Sequence, residues 1–228
     1  MVYRMTQHPL ELDELPERLR HVRWLGGGSG AGKSTIARRL AETYSLRLYS
    51  RDDMQSSHTA RSNAVSHPLL HNFLAMSMDE RWLLRTPLEM FQTFHGFHGE
   101  GFEFLIEDVL TLPTNKVILV EGYQLLPRLV APLLAQSEQA MWLIPTPEFR
   151  RAAMTRRGSL WSIAGRTSDP EKALANLLAR DALYTEEVLR QATDLRLPTI
   201  MVDGSASVEE LTMRVKLSLG ITKRNKYL

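Results

Sequence analysis

The sequence predicts an α/β fold: a five-stranded, mainly parallel sheet in three layers, with helices on both faces and a helical insertion. Three observations predict it. Short apolar runs alternate with amphipathic stretches, and that alternation builds parallel sheets with covering helices. Two of the runs, 117–120 and 139–144, are apolar almost throughout, as strands buried on both faces are. The segment 51–116 has helical patterns but no strong strand.

Each element has its own signal. Residues 1–20 form an N-terminal arm, in which 11–20 can make one or two polar helical turns. The core, 21–228, opens on His21-Val22-Arg23-Trp24-Leu25, a short strand running into glycines. A helix over 33–44 places Ile36, Ala37, Leu40 and Ala41 on one face. Residues 46–50 alternate as a second strand. Helical stretches follow at 69–76, 87–97 and 101–112, then the third strand at 117–120. A helix over 125–134 is expected to be broken early by Pro127, and 139–144 is the fourth strand. Thr146-Pro147-Glu148 starts a helix reaching Arg157: a capping hydroxyl, a first-turn proline, then an acid. Residues 158–169 read as a polar loop. Asp169-Pro170-Glu171 starts a long helix with Leu174, Leu177, Leu178, Val188 and Leu189 inward. The last strand is 198–202 and the closing helix 208–219.

The chain has 228 residues, 43% apolar and 24% charged, enough for one sizeable packed domain. It has no cysteine, which excludes disulfides, thiolate metal sites and a cysteine nucleophile. Formal net charge is +2. Any basic surface must then come from local clustering, and there is no general case for a nucleic-acid partner. No stretch approaches the apolar length of a membrane span, and residues 1–20 lack the apolar run of a secretory signal. A cytoplasmic protein, monomer or homodimer, is the expectation.

Gly27-Gly28-Ser29-Gly30-Ala31-Gly32-Lys33-Ser34 fits G-x-x-x-x-G-K-[ST] at every fixed position. A loop that wraps a phosphate aims several backbone N–H groups inward, in conformations that a Cβ obstructs. The helix starting at Lys33 adds its N-terminal amides and dipole. The expected nucleotide-binding residues are therefore Gly28, Ser29, Gly30, Ala31, Gly32, Lys33, Ser34 and Thr35. Lys33 supplies a point charge to the β- and γ-phosphates, Ser34 a hydroxyl ligand for Mg²⁺, and Thr35 a hydroxyl near the α-phosphate. A preceding strand and a following amphipathic helix set this motif apart from a glycine-rich turn. The nucleotide is ATP, with GTP also open.

In element order over about 21–220, the chain resembles the P-loop small-molecule kinases. These include nucleoside monophosphate kinases, uridine kinase, shikimate and gluconate kinases, and chloramphenicol phosphotransferase. It also looks like bacterial P-loop proteins of unassigned substrate. The resemblance rests on the phosphate loop, Asp52-Asp53 after the second strand, Glu121-Gly122 after the third, and an arginine-bearing segment after the fourth. It implies a P-loop NTPase-type fold and transfer of a γ-phosphoryl group to a hydroxyl of a small molecule, nucleoside-, sugar- or antibiotic-like. The acid after the second strand would then meet the acceptor hydroxyl, as Asp52 or Asp53. Asp52 is favoured as base by its position, and Asp53 becomes an outer Mg²⁺ group. Either acid can also simply start a turn. Glu121 would serve Mg²⁺ or the acceptor. A lid at 147–169 would carry catalytic arginines, Arg150 and Arg157 foremost among Arg150, Arg151, Arg156, Arg157 and Arg166, although Met154 interrupts their stripe. Asp181 could pair with one of them. The insertion 51–116 would bind the acceptor. Asp203-Gly204-Ser205 would pass the base, or form a plain turn before a Ser207 cap.

Rival readings are an ATP-hydrolysing regulatory or RNA-associated P-loop protein with no small acceptor, and a nucleotide-binding protein without turnover. His95 and His98 lack a third placed ligand and make a poor metal site. His58, His67 and His71 could line an acceptor pocket, but such histidines are usually surface or satisfied core groups. The aromatic residues Trp82, Phe91, Phe94 and Phe97 read first as packing, and Trp161 is a candidate lid contact.

Overall fold

A computed structural model describes residues 14–222, apart from the side chains of Arg157, Ser159, Leu160 and Trp161. Residues 1–13 of the expected arm thus lie outside the described residues, as do the side chains of the lid candidates Arg157 and Trp161. Residues 15–18 form a helical turn, α1 (Leu15–Arg18).

Five strands follow: β1 (Val22–Gly27), β2 (Arg47–Ser50), β3 (Ile118–Glu121), β4 (Ala140–Pro145) and β5 (Thr199–Val202). They form one sheet in the order β2-β3-β1-β4-β5, and every pairing is parallel. β3 and β4 are buried at every residue, which explains why they read as unbroken apolar runs. β2 and β5 are the edges. β5 alternates exposed and buried side chains, as expected of a strand covered on one face.

One face of the sheet packs Trp24, Val120 and Trp142 against Tyr184 and Val188. Those two belong to α11 (Pro170–Asp194), the long helix that Asp169 caps by accepting from the Lys172 amide at 3.1 Å. The other face packs Leu25, Leu119 and Leu143 against Ile36 and Leu40 of α2 (Lys33–Tyr44) and Leu211 and Val215 of α12 (Val208–Ser218). Three layers result. No helix among the described residues is long and apolar enough to cross a membrane.

Between β2 and β3 the chain is helical: α3 (Gln55–Arg61), α4 (Pro68–Ala75), α5 (Met78–Trp82), α6 (Pro87–Thr93), a 3-10 turn at His95–His98, and α7 (Phe102–Thr111). The sequence reading had no α3 or α5. Both are too short to show a helical period, and α5 is marked instead by a capping box from Ser77 to Glu80. Acids of α7 hold the rest of the insertion together. Asp108 binds His58 Nε2 at 2.8 Å, the Tyr49 hydroxyl at 2.6 Å and Arg61 at 2.5 Å. Glu103 binds His67 Nε2 at 2.6 Å. His58 and His67 are buried in these structural contacts.

Two further expectations are corrected. Residues 158–169 are not a loop throughout, because α10 (Ser159–Ala164) follows directly on α9 (Pro147–Arg157). Pro127 does not break a helix but starts α8 (Pro127–Val130), where its missing N–H costs nothing; a 3-10 turn at Ala131–Leu133 continues it. Met154, which interrupts the arginine stripe, is core. With Ala164, Ala173 and Leu177 it packs against Trp82, Leu83 and Met90 of the insertion. The insertion and the segment after β4 therefore share one apolar cluster.

Candidate active site

The loop between β1 and α2 lies at the carboxyl end of the sheet. Gly30 and Gly32 have φ of 81° and 85°, values that other residues rarely adopt. Gly28 is needed for a different reason. A Cβ there would come within 2.7 Å of Thr185 Oγ1 and 2.8 Å of Pro145 Cδ, so α11 and β4 press directly on the loop. Gly32 gives α2 no side-chain cap, as is also so for α3, α4 and α7, whereas Ser77, Thr86, Thr146, Asp169 and Ser207 cap the helices that follow them. The N-terminal dipole end of α2 opens on the loop and favours an anion. Lys33 is buried, and its Nζ donates to the Gly28 carbonyl at 2.9 Å. These features fit a nucleoside triphosphate.

Ser34 Oγ donates to Glu121 Oε2 at 3.1 Å. Glu121 ends β3 opposite Ser50 of β2 and is 3% exposed; the Ser50 hydroxyl bonds it too. A hydroxyl and a carboxylate at the phosphate loop are a hard-oxygen pair suited to Mg²⁺. Burial pushes the Glu121 carboxyl above its ordinary value. Lys33 opposes that shift, Asp52 adds to it, and the Ser50 and Ser34 hydroxyls oppose it. A carboxyl raised on folding contributes stability that is full below its unfolded pKa and is lost as pH rises through the folded one. Glu121→Gln is therefore expected to raise the melting temperature of the protein at neutral pH. The gain should vanish below the ordinary glutamate range, as scanning calorimetry across pH would show.

Asp52 is exposed, and its charge bears on Glu121, on Arg51 and on Tyr184. It therefore belongs to the same carboxylate-lined end of β2 and β3. Among the described residues no hydrogen bond or ion pair ties the exposed Asp53 to Ser34 or Glu121. Arg51 is buried, donating to Gln55 Oε1 and Gln124 Oε1 at 2.9 Å each.

Arg150 is buried beside the loop. Its Cγ is 3.7 Å from the position a Gly30 Cβ would take, its Nη1 reaches Thr185 Oγ1 at 3.3 Å, and its Nε is buried without a partner. Among the described side chains Asp181 pairs with no lid arginine. It pairs with its neighbour Arg180 at 2.5 Å, and its Oδ1 also accepts from the Tyr123 hydroxyl at 3.1 Å. Arg180 lies over the rings of Trp82 and Phe94, at 5.2 and 5.3 Å. Phe94, Phe97, Tyr123 and Tyr184 pack on one another. Those aromatic residues are core between the insertion and α11.

A cleft of about 530 Å³ runs from Gly30, Gly32 and Thr35 past Phe149 and Arg156 to Gly204 and Ser207. The turn at 203–205 thus does two things. It faces the phosphate loop across this cleft, and it leads into Ser207, which caps α12 in a capping box with Glu210. Ser50, Thr185 and Phe149 were not marked in the sequence. They acquire their places from strand order and helix packing, which no local pattern states.

No family model and no curated protein matches the chain. Among solved structures it is similar to protein TT1252 from Thermus thermophilus, with 17% identity, 88% of this chain and 97% of that one covered, and a TM-score of 0.48. It is similar to an uncharacterized protein from Eubacterium ventriosum ATCC 27560, with 13% identity, 87% and 97% covered, and a TM-score of 0.46. It is also similar to shikimate kinase from Acinetobacter baumannii in complex with shikimate, with 16% identity, 87% and 93% covered, and a TM-score of 0.40. At such identities and scores these likenesses carry no conclusion about substrate. The chain's own geometry, with a glycine loop between β1 and α2 and Glu121 at the end of β3 in an all-parallel sheet, defines a P-loop NTPase-type α/β fold. Within that class the chain resembles the P-loop small-molecule kinases.

Proposed function

We propose that the protein transfers the γ-phosphoryl group of ATP, or of GTP, to a hydroxyl of a small molecule. The observation that carries this reading is the position of Glu121. It bonds Ser34 beside the phosphate loop and feels the charges of Lys33 on one side and Asp52 on the other. A lysine of the phosphate loop and an exposed carboxylate thus both act on one buried acid, which supports a site where a nucleotide and an acceptor meet.

The loop amides and Lys33 bind the β- and γ-phosphates. Ser34 and Glu121 would hold Mg²⁺, which offsets charge on the phosphate oxygens when bound. Asp52 accepts the proton of the acceptor hydroxyl. Arg150, buried against Gly30, contributes its guanidinium to the phosphates. Arg157 is assigned to the lid by its place on α9, and Asp53 to an outer role. The insertion 51–116 selects the acceptor, and the segment 147–169 excludes water.

The test is ADP release with a panel of hydroxyl compounds. Asp52→Asn is expected to lower acceptor-dependent release by roughly 10²- to 10⁴-fold, the range for a general base, with the affinity for ATP retained. Full acceptor-dependent turnover in that variant would overturn the base assignment.

A further inference from the structure

A second cleft lies at the opposite end of the sheet. β1, β2 and β3 begin at Val22, Arg47 and Ile118, and His21, Arg23, Leu46 and Lys116, at or beside those starts, line a cavity of about 370 Å³. β1 has six residues, and at roughly 3.3 Å per residue the cavity is about 20 Å from the phosphate loop.

Among the described residues its lining has three basic side chains, His21, Arg23 and Lys116, and no aspartate or glutamate. Such an excess is local, because the whole chain carries 28 Lys and Arg against 26 Asp and Glu. Arg23 is pinned by backbone oxygens. Its Nε donates to Leu219 O at 2.7 Å, and its Nη1 donates to Arg20 O and Val22 O at 3.0 Å each. Among the described residues it has no carboxylate partner. His21 Nε2 is buried with no hydrogen-bond partner. Burial first, then the charge of Arg23, hold this imidazole below its ordinary pKa. Lys216 is outside the lining, but its ammonium sits 5.3 Å over the ring of Tyr44, which belongs to it. The rest of the lining mixes apolar Leu46, Val117 and Ile221 with polar Ser45, Thr114, Asn115 and Thr222.

We propose that this cleft is a binding site for a small organic anion, an apolar or planar body bearing a phosphate or carboxylate group. The basic groups meet the charge, and Tyr44, Leu46 and Ile221 meet the body. A cation set with no counter-acid, beside a buried ring nitrogen with no partner, is unfavourable until an anion or a donor arrives. The concavity and its apolar wall favour a small molecule over a polyanion, which is gripped by an extended basic surface. The site is independent of the phosphate-loop reading.

The experiment uses the full chain carrying Lys33→Ala, which weakens the phosphate loop. Histidine Cε1–H resonances are followed by NMR during titration with phenyl phosphate, benzoate and inorganic phosphate. The His21 signal is assigned by its loss in His21→Gln. Phenyl phosphate or benzoate is expected to shift the His21 signal saturably and to raise its pKa, the tighter of the two identifying the charged group preferred. Lys116 is exposed, so Lys116→Glu should fold, and it is expected to weaken binding by about tenfold, because reversal replaces an exposed attraction with a repulsion. Lys116→Met is the second variant, expected to weaken binding less. No saturable shift of His21, or one that neither variant weakens, overturns the proposal. Inorganic phosphate binding as tightly as phenyl phosphate overturns the role of the apolar wall. A single-stranded RNA that displaces phenyl phosphate with steep salt dependence replaces the small anion with nucleic acid.

Discussion

Asp181→Ala is expected to destabilise the fold by about 3–5 kcal/mol, the usual cost of leaving one member of a buried ion pair alone. Asp181 is 1% exposed and Arg180 6%, so the stranded guanidinium has little access to water. It is held between Trp82 and Phe94, whose ring faces attract a cation but supply only a fraction of its lost solvation. The same change removes the acceptor of the Tyr123 hydroxyl, and Tyr184 in turn donates to the Tyr123 carbonyl. Three parts of the molecule meet here: the insertion through Trp82 and Phe94, the turn after Glu121 through Tyr123, and α11. Arg180→Met combined with Asp181→Ala is expected to be less harmful than Asp181→Ala alone, because no buried charge is left unpaired. Urea denaturation of the single and double variants measures this. A single variant within about 1 kcal/mol of the parent would mean that water reaches the pair.

The second large effect concerns Lys33. Lys33→Ala is expected to lower kcat/KM for nucleotide-dependent turnover by roughly 10²- to 10³-fold, the scale for losing one preorganised stabilising group. The Nζ is already inside the loop, bonded to the Gly28 carbonyl, so its position costs little reorganisation when phosphates arrive. Lys33→Arg is not expected to restore activity. The loop is enclosed by Thr185 and Pro145 at Gly28 and by Ala153 and Arg150 at Gly30, and a planar fork does not substitute there for a compact ammonium. Steady-state ADP release by the three proteins distinguishes these outcomes.

Much of this arrangement was legible in the sequence, for identifiable reasons. β3 and β4 are buried on both faces, and that condition writes itself as uninterrupted apolar residues. The phosphate loop is local in the chain, so its glycines, Lys33 and Ser34 could be assigned together. The caps at Thr146, Asp169 and Ser207 were legible because a cap is also a local event. What escaped depends on distant neighbours. Met154 reads as a gap among arginines until Trp82 and Leu83 are known to pack on it. Asp181 suggested a distant partner, yet the nearest guanidinium was one residue away. Ser50 reaches Glu121 only because β2 and β3 are adjacent and in register. The helices α3, α5 and α10 are too short to show a periodic face, and of these α5 is fixed by a capping box.

Calorimetric titration with Mg²⁺-ATP, ADP and AMP tests the anion cradle most directly. The loop is expected to bind ATP more tightly than ADP and ADP more tightly than AMP, with the preference for ATP lost in Lys33→Ala. AMP binding as tightly as ATP, or an ATP affinity indifferent to Lys33→Ala, would contradict the account.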